Sequence, residues 1–458
     1  METNNATCWV VADPGWGSAV VAAQFAALRG ARVRVCAQAD SLPQEVLAGK
    51  GTVIAMTAAA LRRCDWRLLK RCVEAGATVH VSRFEQALEH SLQPFVDGRF
   101  RIESRTDIRS FRLCDAATLP QALRGEELPA GGAAAVAVGL NGHCRTLMAA
   151  EQGGSRAPAL FSLECGAGAV IYDPNSGADE TGNPIVERLA TPRGILAGTG
   201  ALVAANLANQ RRWQAPTSFN ITIDDRPANF DYLGPFRLKA LLEHFNAHYP
   251  GVHLDLAWTP EHVHVSRRYV DLVRRCGGGF VWHGFHRHVD HRTLADPANE
   301  LRRGQALVEE IARRFRVQFQ KVMVFPYERT SWDLLARLEK AGFIAVTECA
   351  AARPEAELGV PPFMRRSIPT HFVPGLGIPV LRRYPVAALN RSTLLALAAL
   401  GHPIIAMAHP LDLALRRFAL GQGPGRALGH FERLLEFASH KGLRPASLEE
   451  IASGLPQA

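Results

Sequence analysis

Seven short apolar runs, most of them followed by polar residues and separated by amphipathic helical patterns, occupy the second half of the chain. Runs of this length and composition are typical of buried strands, and strands that alternate with helices predict a parallel sheet. Seven such units predict a (β/α)7 barrel, whose chemistry is expected at the C-terminal ends of the strands. The predicted strands are Ser218–Ile223, His253–Trp258, Gly279–Trp282, Lys321–Phe325, Gly342–Thr347, Ile378–Arg382 and Pro403–Ala408.

The first half of the chain also alternates strand and helix patterns. Strands are predicted at 7–13, 32–37, 51–56 and 77–82, with a helix around 65–75, and the stretch up to residue 172 is rich in strand-like runs. A chain of 458 residues is long for one domain. We therefore predict an N-terminal α/β domain with a parallel sheet over residues 1–210, a linker at Arg211–Thr217, and the barrel over residues 218–458.

The overall charge and the cysteine pattern bear on partners and compartment. The formal net charge of +9 could indicate an anionic partner, but the arginines are spread over several predicted helices, so no nucleic-acid partner is expected. Nine cysteines without close CxxC pairs argue against a disulfide framework. The N-terminal residues lack the features of a signal peptide, and no apolar run is long enough for a membrane span. We therefore expect a cytoplasmic protein.

Polar residues with metal-binding and acid–base character follow four of the predicted strands. Asp224-Asp225 follows the first strand, and four of the chain's 17 histidines lie between His283 and His291 after the third. Phe325-Pro326-Tyr327-Glu328 ends the fourth strand, and His409 follows the last. Imidazole nitrogens and carboxylate oxygens are preferred zinc ligands, and a nearby carboxylate can deprotonate a zinc-bound water. The pattern predicts a metal-dependent hydrolase, with zinc as the favoured divalent metal.

These motifs resemble those of the polysaccharide deacetylase family, also called the NodB-homology family or carbohydrate esterase family four, over about Ser218–Leu455. The resemblance implies that Asp224 is the general base, Asp225 a metal ligand and His409 the general acid. It also implies that Pro326, Tyr327 and Glu328 shape the substrate groove. The arginine that usually precedes this third motif is missing here, since Val324 and Phe325 stand before Pro326.

The histidine run departs from the spacing of the family's second motif. That motif places two ligand histidines four residues apart, and no pair among the four histidines has this spacing. A one-residue insertion would make His283 and His288 the ligands. His286 or His291 could replace His288.

The N-terminal half resembles the class I glutamine amidotransferase-like fold, a flavodoxin-like arrangement, through Leu69–Val81 and the strand Gly166–Tyr172. The resemblance is closest to the non-catalytic versions attached to glycoside-processing enzymes. It implies a binding, regulatory or assembly role, and this domain is a candidate for self-association into a homo-oligomer.

Together these observations predict a metal-dependent deacetylase that removes an acetyl group from an N-acetylated carbohydrate or a related amide. A cytoplasmic glycan precursor or a small amide is the expected substrate. The missing arginine and the altered histidine spacing motivate an alternative, a catalytically inactive carbohydrate-binding or scaffold protein in polysaccharide biosynthesis. A nucleic-acid-binding protein is a further alternative, supported only by the basic charge.

Overall fold

The computed structural model contains two nine-stranded sheets, one in each half of the chain. The predicted linker lies outside the residues that the structure describes, as does Asp225. The described residues are 7–11, 32–36, 42, 46, 51–82, 88–96, 98–114, 127–140, 144–174, 218–224, 243–262, 267–275, 277–328, 332–349, 371–372, 377–400, 402–409 and 425–455.

The N-terminal sheet is mixed rather than parallel. Its strands are β1 Thr7–Val11, β2 Arg32–Cys36, β3 Thr52–Thr57, β4 Thr78–Ser82, β5 Arg101–Leu113, β6 Glu127–Val138, β7 Cys144–Gln152, β8 Ser155–Cys165 and β9 Gly168–Asp173. They lie in the order β2-β1-β3-β4-β9-β8-β7-β5-β6, with parallel pairing from β2 to β9 and antiparallel pairing beyond it. The prediction of a parallel, flavodoxin-like sheet is therefore wrong for the antiparallel part.

A two-glycine turn explains part of this difference. Gly153 and Gly154 connect β7 to β8 and both have positive φ, 54° and 86°. Glycine adopts such angles without steric cost, and a two-residue turn of this kind reverses the chain into an antiparallel hairpin. The likeness to amidotransferases stays a prediction.

Three helices belong to the described part of this half, α1 Ala58–Arg63, α2 Trp66–Glu74 and α3 Glu89–Leu92. α2 begins where the Asp65 side chain accepts a hydrogen bond from the backbone amide of Arg67 at 2.9 Å. Leu69, Cys72 and Val73 recur at helical spacing and are buried in the apolar core of the sheet. The amphipathic pattern of the sequence thus sets which face of α2 packs inward.

His80 lies in the middle of β4 without a polar neighbour to bind. Its side chain is 1% exposed, and neither ring nitrogen has a hydrogen-bond partner. The paired residues on the two flanking strands are Ala55 and Ile171. Burial lowers the pKa of the His80 imidazole to about 4, so the ring is neutral at pH 7.

Replacing His80 with leucine is expected to leave the free energy of unfolding at pH 7 unchanged or to raise it by about 1 kcal/mol, because an unpaired buried polar group is removed. The pKa of His80 is lower in the folded than in the unfolded protein. Its neutral ring therefore leaves wild-type stability unaffected by pH above about pH 6.5, and protonation lowers the stability as the pH falls towards 4. The variant should lack the acid-dependent fall in stability that His80 causes, whose slope is at most about 1.4 kcal/mol per pH unit. Urea unfolding at pH 7 and pH 5 measures both effects.

The matched control is His90→Leu, since His90 is an exposed histidine on α3. If the free energy of unfolding of His80→Leu fell between pH 7 and pH 5 by as much as that of the wild type, the lowered pKa assigned to His80 would be contradicted.

The second sheet closes into a seven-stranded parallel barrel, as the sequence predicts. The barrel strands are β10 Ser218–Ile223, β11 Leu254–Trp258, β12 Gly278–His283, β13 Phe319–Val324, β14 Ala345–Cys349, β16 Pro379–Pro385 and β17 Ile404–Ala408. β10 pairs with β11 on one side and with β17 on the other, which joins the first strand to the last. β14 begins later than predicted because Gly342, with φ 81°, still belongs to the turn before it.

The remaining elements of this half surround or extend the barrel. The two-residue strand β15 His371–Phe372 pairs antiparallel with β16, and β18 Arg444–Pro445 pairs with the start of β10. The helices of this half include α4 Arg267–Arg275, α5 Pro297–Phe315, α6 Trp332–Lys340, α7 Arg391–Leu400, α8 Gly425–His440 and α9 Leu448–Ser453. A further helical segment covers residues 243–248. No helix within the described ranges is long and apolar enough to span a membrane.

Alternate residues of each barrel strand face two different apolar clusters. Inside the barrel, residues such as Val281, Val322 and Leu381 pack with Leu448 of α9. Outside it, a larger cluster that includes Trp258 and Trp282 packs against the helices. The interior is thus a filled core, which leaves the strand ends as the place for chemistry.

A buried carboxylate organises the N-terminal end of the barrel. Asp255 on β11 is 0% exposed and accepts hydrogen bonds from the side chains of His253 (2.8 Å), Asn220 (2.7 Å) and Gln320. It also accepts one from the backbone amide of Leu448, the first residue of α9, at 2.9 Å. Three strands and the C-terminal helix therefore meet at one side chain.

Candidate functional site

The barrel mouth, defined here by Asp224, His283, Arg383 and His409, collects polar side chains at the C-terminal ends of four strands. Asp224 follows β10, and its backbone amide donates to the carbonyl oxygen of Ala408 at 2.9 Å. Ile223 pairs with Ala408 in the register of β10 and β17, so Asp224 and His409 are neighbouring positions. The adjacency of two parallel strands thus brings the predicted base and the predicted acid together.

A fully buried ion pair holds Asp224 in place. Arg383 on β16 is 0% exposed, and its Nη1 and Nη2 atoms donate to Oδ1 and Oδ2 of Asp224 at 2.5 and 2.8 Å. This two-bond contact between a planar guanidinium and a carboxylate fixes the orientation of both groups. Desolvation by burial alone would raise the pKa of Asp224, but the charge and hydrogen bonds of Arg383 outweigh it, and His283 and His409 act in the same direction. The pKa of Asp224 is therefore lowered, and the carboxylate is ionised at neutral pH.

His283, the last residue of β12, is the histidine that points into the barrel mouth. It is 2% exposed, and its Nδ1 atom donates to the carbonyl oxygen of Val324 on the neighbouring strand at 3.2 Å. A hydrogen on Nδ1 puts the ring lone pair on Nε2, which is the arrangement that second-shell carbonyls impose on metal-binding histidines. Gly284 follows with φ 90°, and this turn leads the chain away from the strand.

His288 lies beside His283, five residues later. The two ring centroids are 4.9 Å apart and the ring planes are tilted by 58°. The ring of His288 also contacts the ring of Tyr327, with 5.2 Å between centroids. His288 is therefore in direct ring contact with His283.

His286 and His291 are engaged elsewhere. The Nδ1 atom of His286 donates to Glu300 on α5 at 3.2 Å. The Nε2 atom of His291 accepts a hydrogen bond from the backbone amide of Phe285 at 3.1 Å, and the two rings stack with centroids 4.4 Å apart. Burial lowers the pKa of His291 to about 3, which keeps the accepting nitrogen unprotonated. Both side chains therefore have structural partners on or near the loop.

The turn Pro326–Glu328 forms one wall next to the histidines. Pro326 is buried, whereas Tyr327 is 60% exposed and has φ 60°. A non-glycine residue in this left-handed region is strained by about 1–2 kcal/mol, and such strain persists mostly at functional sites. The backbone of Glu328 ends the turn, and its side chain lies outside the described part of the structure.

The donors at the barrel mouth fit part of a zinc site. Within the described ranges, no group of three or more His, Cys, Asp or Glu side chains is arranged to hold a metal ion. His283 and His288 supply two imidazoles next to each other, and Asp225, the third predicted ligand, follows the described Asp224 directly in sequence. Two imidazoles and a carboxylate are a ligand set that zinc accepts.

Arg383 is the site residue that the sequence did not reveal. The arginine expected before Phe325-Pro326 is missing, whereas Arg382-Arg383 stands at the end of another predicted strand. Two adjacent arginines at a strand end were the available signal, because arginine is rarely buried without an acidic partner. Arg382 has its own partner, with 2.8 Å between its Nη1 atom and Oε2 of Glu348.

Comparisons with known proteins find no matching family model and no matching curated protein. Solved structures that align with the chain include a candidate polysaccharide deacetylase from Mycobacterium smegmatis, with 16% identity, 54% of this chain and 95% of that chain covered, and a TM-score of 0.36. The peptidoglycan N-acetylglucosamine deacetylase Bc1960 aligns at 12% identity, with 52% and 89% covered and a TM-score of 0.33. A carbohydrate esterase family four pseudoenzyme from Bacillus anthracis aligns at 11% identity, with 52% and 66% covered and a TM-score of 0.32.

Proposed function

We propose that the barrel is a metal-dependent deacetylase that removes an acetyl group from an N-acetylated carbohydrate or a related amide. The observation that carries this proposal is the juxtaposition, at one barrel mouth, of an ionised Asp224 held by Arg383 and of the neighbouring imidazoles of His283 and His288. His409 contributes a further imidazole next to Asp224. Hydrolysis of an amide needs an activated water, a base and an acid, and these side chains supply that set.

Each residue has a role in the proposed reaction. His283, His288 and Asp225 would hold the metal. Zinc is the metal proposed, because it prefers imidazole nitrogen and carboxylate oxygen as ligands. When bound, zinc lowers the pKa of a coordinated water and polarises the carbonyl of the substrate. Asp224 accepts the proton of the attacking water, because its lowered pKa keeps it ionised.

The remaining roles concern the leaving group and the substrate. His409 donates a proton to the leaving amine. Pro326, Tyr327 and Glu328 shape the groove, with the exposed ring of Tyr327 as an apolar face for a sugar. The substrate proposed is a glycan precursor in the cytoplasm. The N-terminal domain would have a binding, regulatory or assembly role, which includes self-association into a homo-oligomer.

A second candidate is a catalytically inactive carbohydrate-binding or scaffold protein. The observation that favours it is the complete engagement of Asp224, since Arg383 contacts both of its carboxylate oxygens in a fully buried pair. A carboxylate held in this way is a weaker base than a solvated one. Binding of a glycan without turnover is the behaviour that this candidate predicts.

Elemental analysis of the purified protein, followed by measurement of acetate release from N-acetylated sugars, tests the proposal. We expect about one zinc per chain and measurable acetate release in the wild type. Asp225→Ala should lose both, because a three-ligand site loses a charged ligand. Asp333→Ala changes an exposed aspartate on α6 and serves as the control that keeps both.

Three outcomes separate the candidates. A wild-type protein that lacks metal and binds N-acetylated oligosaccharides without releasing acetate would contradict the deacetylase and favour the inactive binding protein. Stoichiometric zinc in Asp225→Ala would refute the ligand assignment of Asp225. Zinc and acetate release in the wild type that both disappear in Asp225→Ala would support the deacetylase.

A further inference from the structure

One face of α5 is in direct contact with the loop that carries the histidines. Gly304 lies on this face, and a Cβ atom added there would be 1.7 Å from the carbonyl oxygen of Phe285. No side chain tolerates such a distance, so the contact exists only because residue 304 is glycine. The loop backbone therefore rests directly on the helix, three residues before His288.

Glu300 lies one helical turn before Gly304 on the same face of α5. Its Oε2 atom accepts hydrogen bonds from Nδ1 of His286 and from Nε of Arg287, both at 3.2 Å. Its Oε1 atom accepts a third from Nη2 of Arg287 at 3.1 Å, and Arg303 lies 3.6 Å away. A carboxylate that is 8% exposed is thus bound to two consecutive loop side chains.

The opposite end of the loop is closed by contacts of its own. His291 accepts the amide hydrogen of Phe285 and stacks on its ring, which joins the two ends of the segment 285–291. The amide of Glu261, beyond β11, donates to the carbonyl oxygen of His286 at 2.9 Å. His288 lies between these contacts, where the chain faces His283 and Tyr327.

We infer that Glu300 is a positioning residue that, together with the glycine at 304, clamps the histidine loop onto α5 and so orients His288 towards His283 for metal binding. By holding the loop in this way, the clamp allows His283 and His288, which are five residues apart, to bind the same metal ion. The inference rests on the proposed function, because it assigns Glu300 a role in the geometry of the metal site. Partners that orient metal ligands without touching the metal contribute strongly to affinity.

Metal affinity of the purified full-length protein is the first test, measured by competition between the protein and a chromophoric zinc chelator. Glu300→Gln and Glu300→Ala are expected to weaken zinc binding by about 10–100-fold, with alanine the more severe change. Glu310→Gln, an exposed glutamate on the same helix, is the control and should bind zinc as the wild type does. Wild-type affinity in both Glu300 variants would overturn the inference while leaving the proposed function intact.

Hydrogen–deuterium exchange of the metal-free protein is the second test, because it needs no bound metal. The segment 284–291 should exchange faster in Glu300→Ala and in Gly304→Ala than in the wild type, since each change releases the loop from α5. Gly429→Ala on α8 is the glycine control, because the nearest atom to its added Cβ is 4.0 Å away.

The two tests distinguish the two proposals. If the wild type binds no zinc, the proposed metal-dependent function fails, and the exchange data still decide whether Glu300 holds the loop. Unchanged exchange of the segment 284–291 in both variants would overturn the clamp irrespective of metal. Faster exchange together with weakened zinc binding would support it.

Discussion

Arg383→Met is expected to destabilise the protein by about 3–5 kcal/mol and to lower strongly the rate of the proposed deacetylation. The change leaves Asp224 fully buried without its cationic partner, and an uncompensated buried charge has a cost of this size. Desolvation would then dominate, so the pKa of Asp224 should rise and the carboxylate should lose its proposed function as a base. Loss of a general base lowers the rate by about 10²–10⁴-fold. Urea unfolding and acetate release measure the two effects.

The pH dependence provides a separate measure. Because the folded pKa of Asp224 is lowered, its ion pair stabilises the wild type above the unfolded pKa near 3.9, and this stability is lost as the pH falls through the folded value. In Arg383→Met, the pKa of the desolvated Asp224 should lie above the unfolded value, so this acid-induced loss of stability should be absent and the variant should gain stability as the pH falls through the raised pKa. The acid limb of the rate profile should move to higher pH. Arg274→Met, at an exposed arginine on α4, is the control and should change neither.

A double variant separates stability from catalysis. Asp224→Leu combined with Arg383→Met removes both charges, and an apolar pair of similar volume often restores or exceeds the stability of a buried ion pair. We expect recovery of the free energy of unfolding without recovery of acetate release. A single Arg383→Met variant as stable as Arg274→Met would show that the pair does not hold the barrel mouth together.

Asp255→Asn is expected to have the second large effect, a loss of about 3 kcal/mol in the free energy of unfolding. The carboxylate accepts four hydrogen bonds in a fully buried place, and an amide can offer only one oxygen to these donors while adding donors of its own. The contact between α9 and the barrel should loosen with it. Asp271→Asn, at a half-exposed aspartate on α4, should cost less than about 0.5 kcal/mol.

The destabilisation caused by Asp255→Asn should depend on pH, because Asp255 interacts with His253. Burial disfavours the charged form of His253, but the hydrogen bond and charge of Asp255, with a contribution from Glu450, raise its pKa. Its stabilising contribution is therefore full below the unfolded pKa near 6.5 and is lost as the pH rises through the folded value. The difference between wild type and Asp255→Asn should be larger at pH 6 than at pH 8.5 in urea unfolding. An equal difference at both pH values would contradict the role of this pair.

Much of the barrel could be predicted from local patterns. Each strand has an apolar run bounded by turns, and the structure confirms seven parallel strands at the expected places. The neighbouring positions of Asp224 and His409 follow from the same reasoning, because both directly follow a strand and a closed barrel makes the first and last strands adjacent. In the N-terminal half, the Gly153-Gly154 turn carried the signal for an antiparallel hairpin, and the alternation of strands and helices concealed it.

The partners of the site residues could not be predicted in the same way. Arg383 and Asp224 are 159 residues apart in sequence, and their contact depends on the closure of the barrel. The sequence does not distinguish the roles of the four histidines. Their contacts differ because Glu300 on α5 accepts a hydrogen bond from His286, whereas the backbone amide of Phe285 donates one to His291. Asp255 reads as an ordinary strand residue until α9 brings the amide of Leu448 to it.

The sequence by itself determined where the barrel strands lie and which chemical groups follow them, because hydrophobic periodicity is a local property of the chain. The tertiary structure alone decided that Arg383 pairs with Asp224 and that His288 faces His283. The physical reason is that hydrogen bonds and ion pairs depend on distances of about 3 Å between atoms. Those distances are set by strand register, barrel closure and the packing of α5 on the histidine loop.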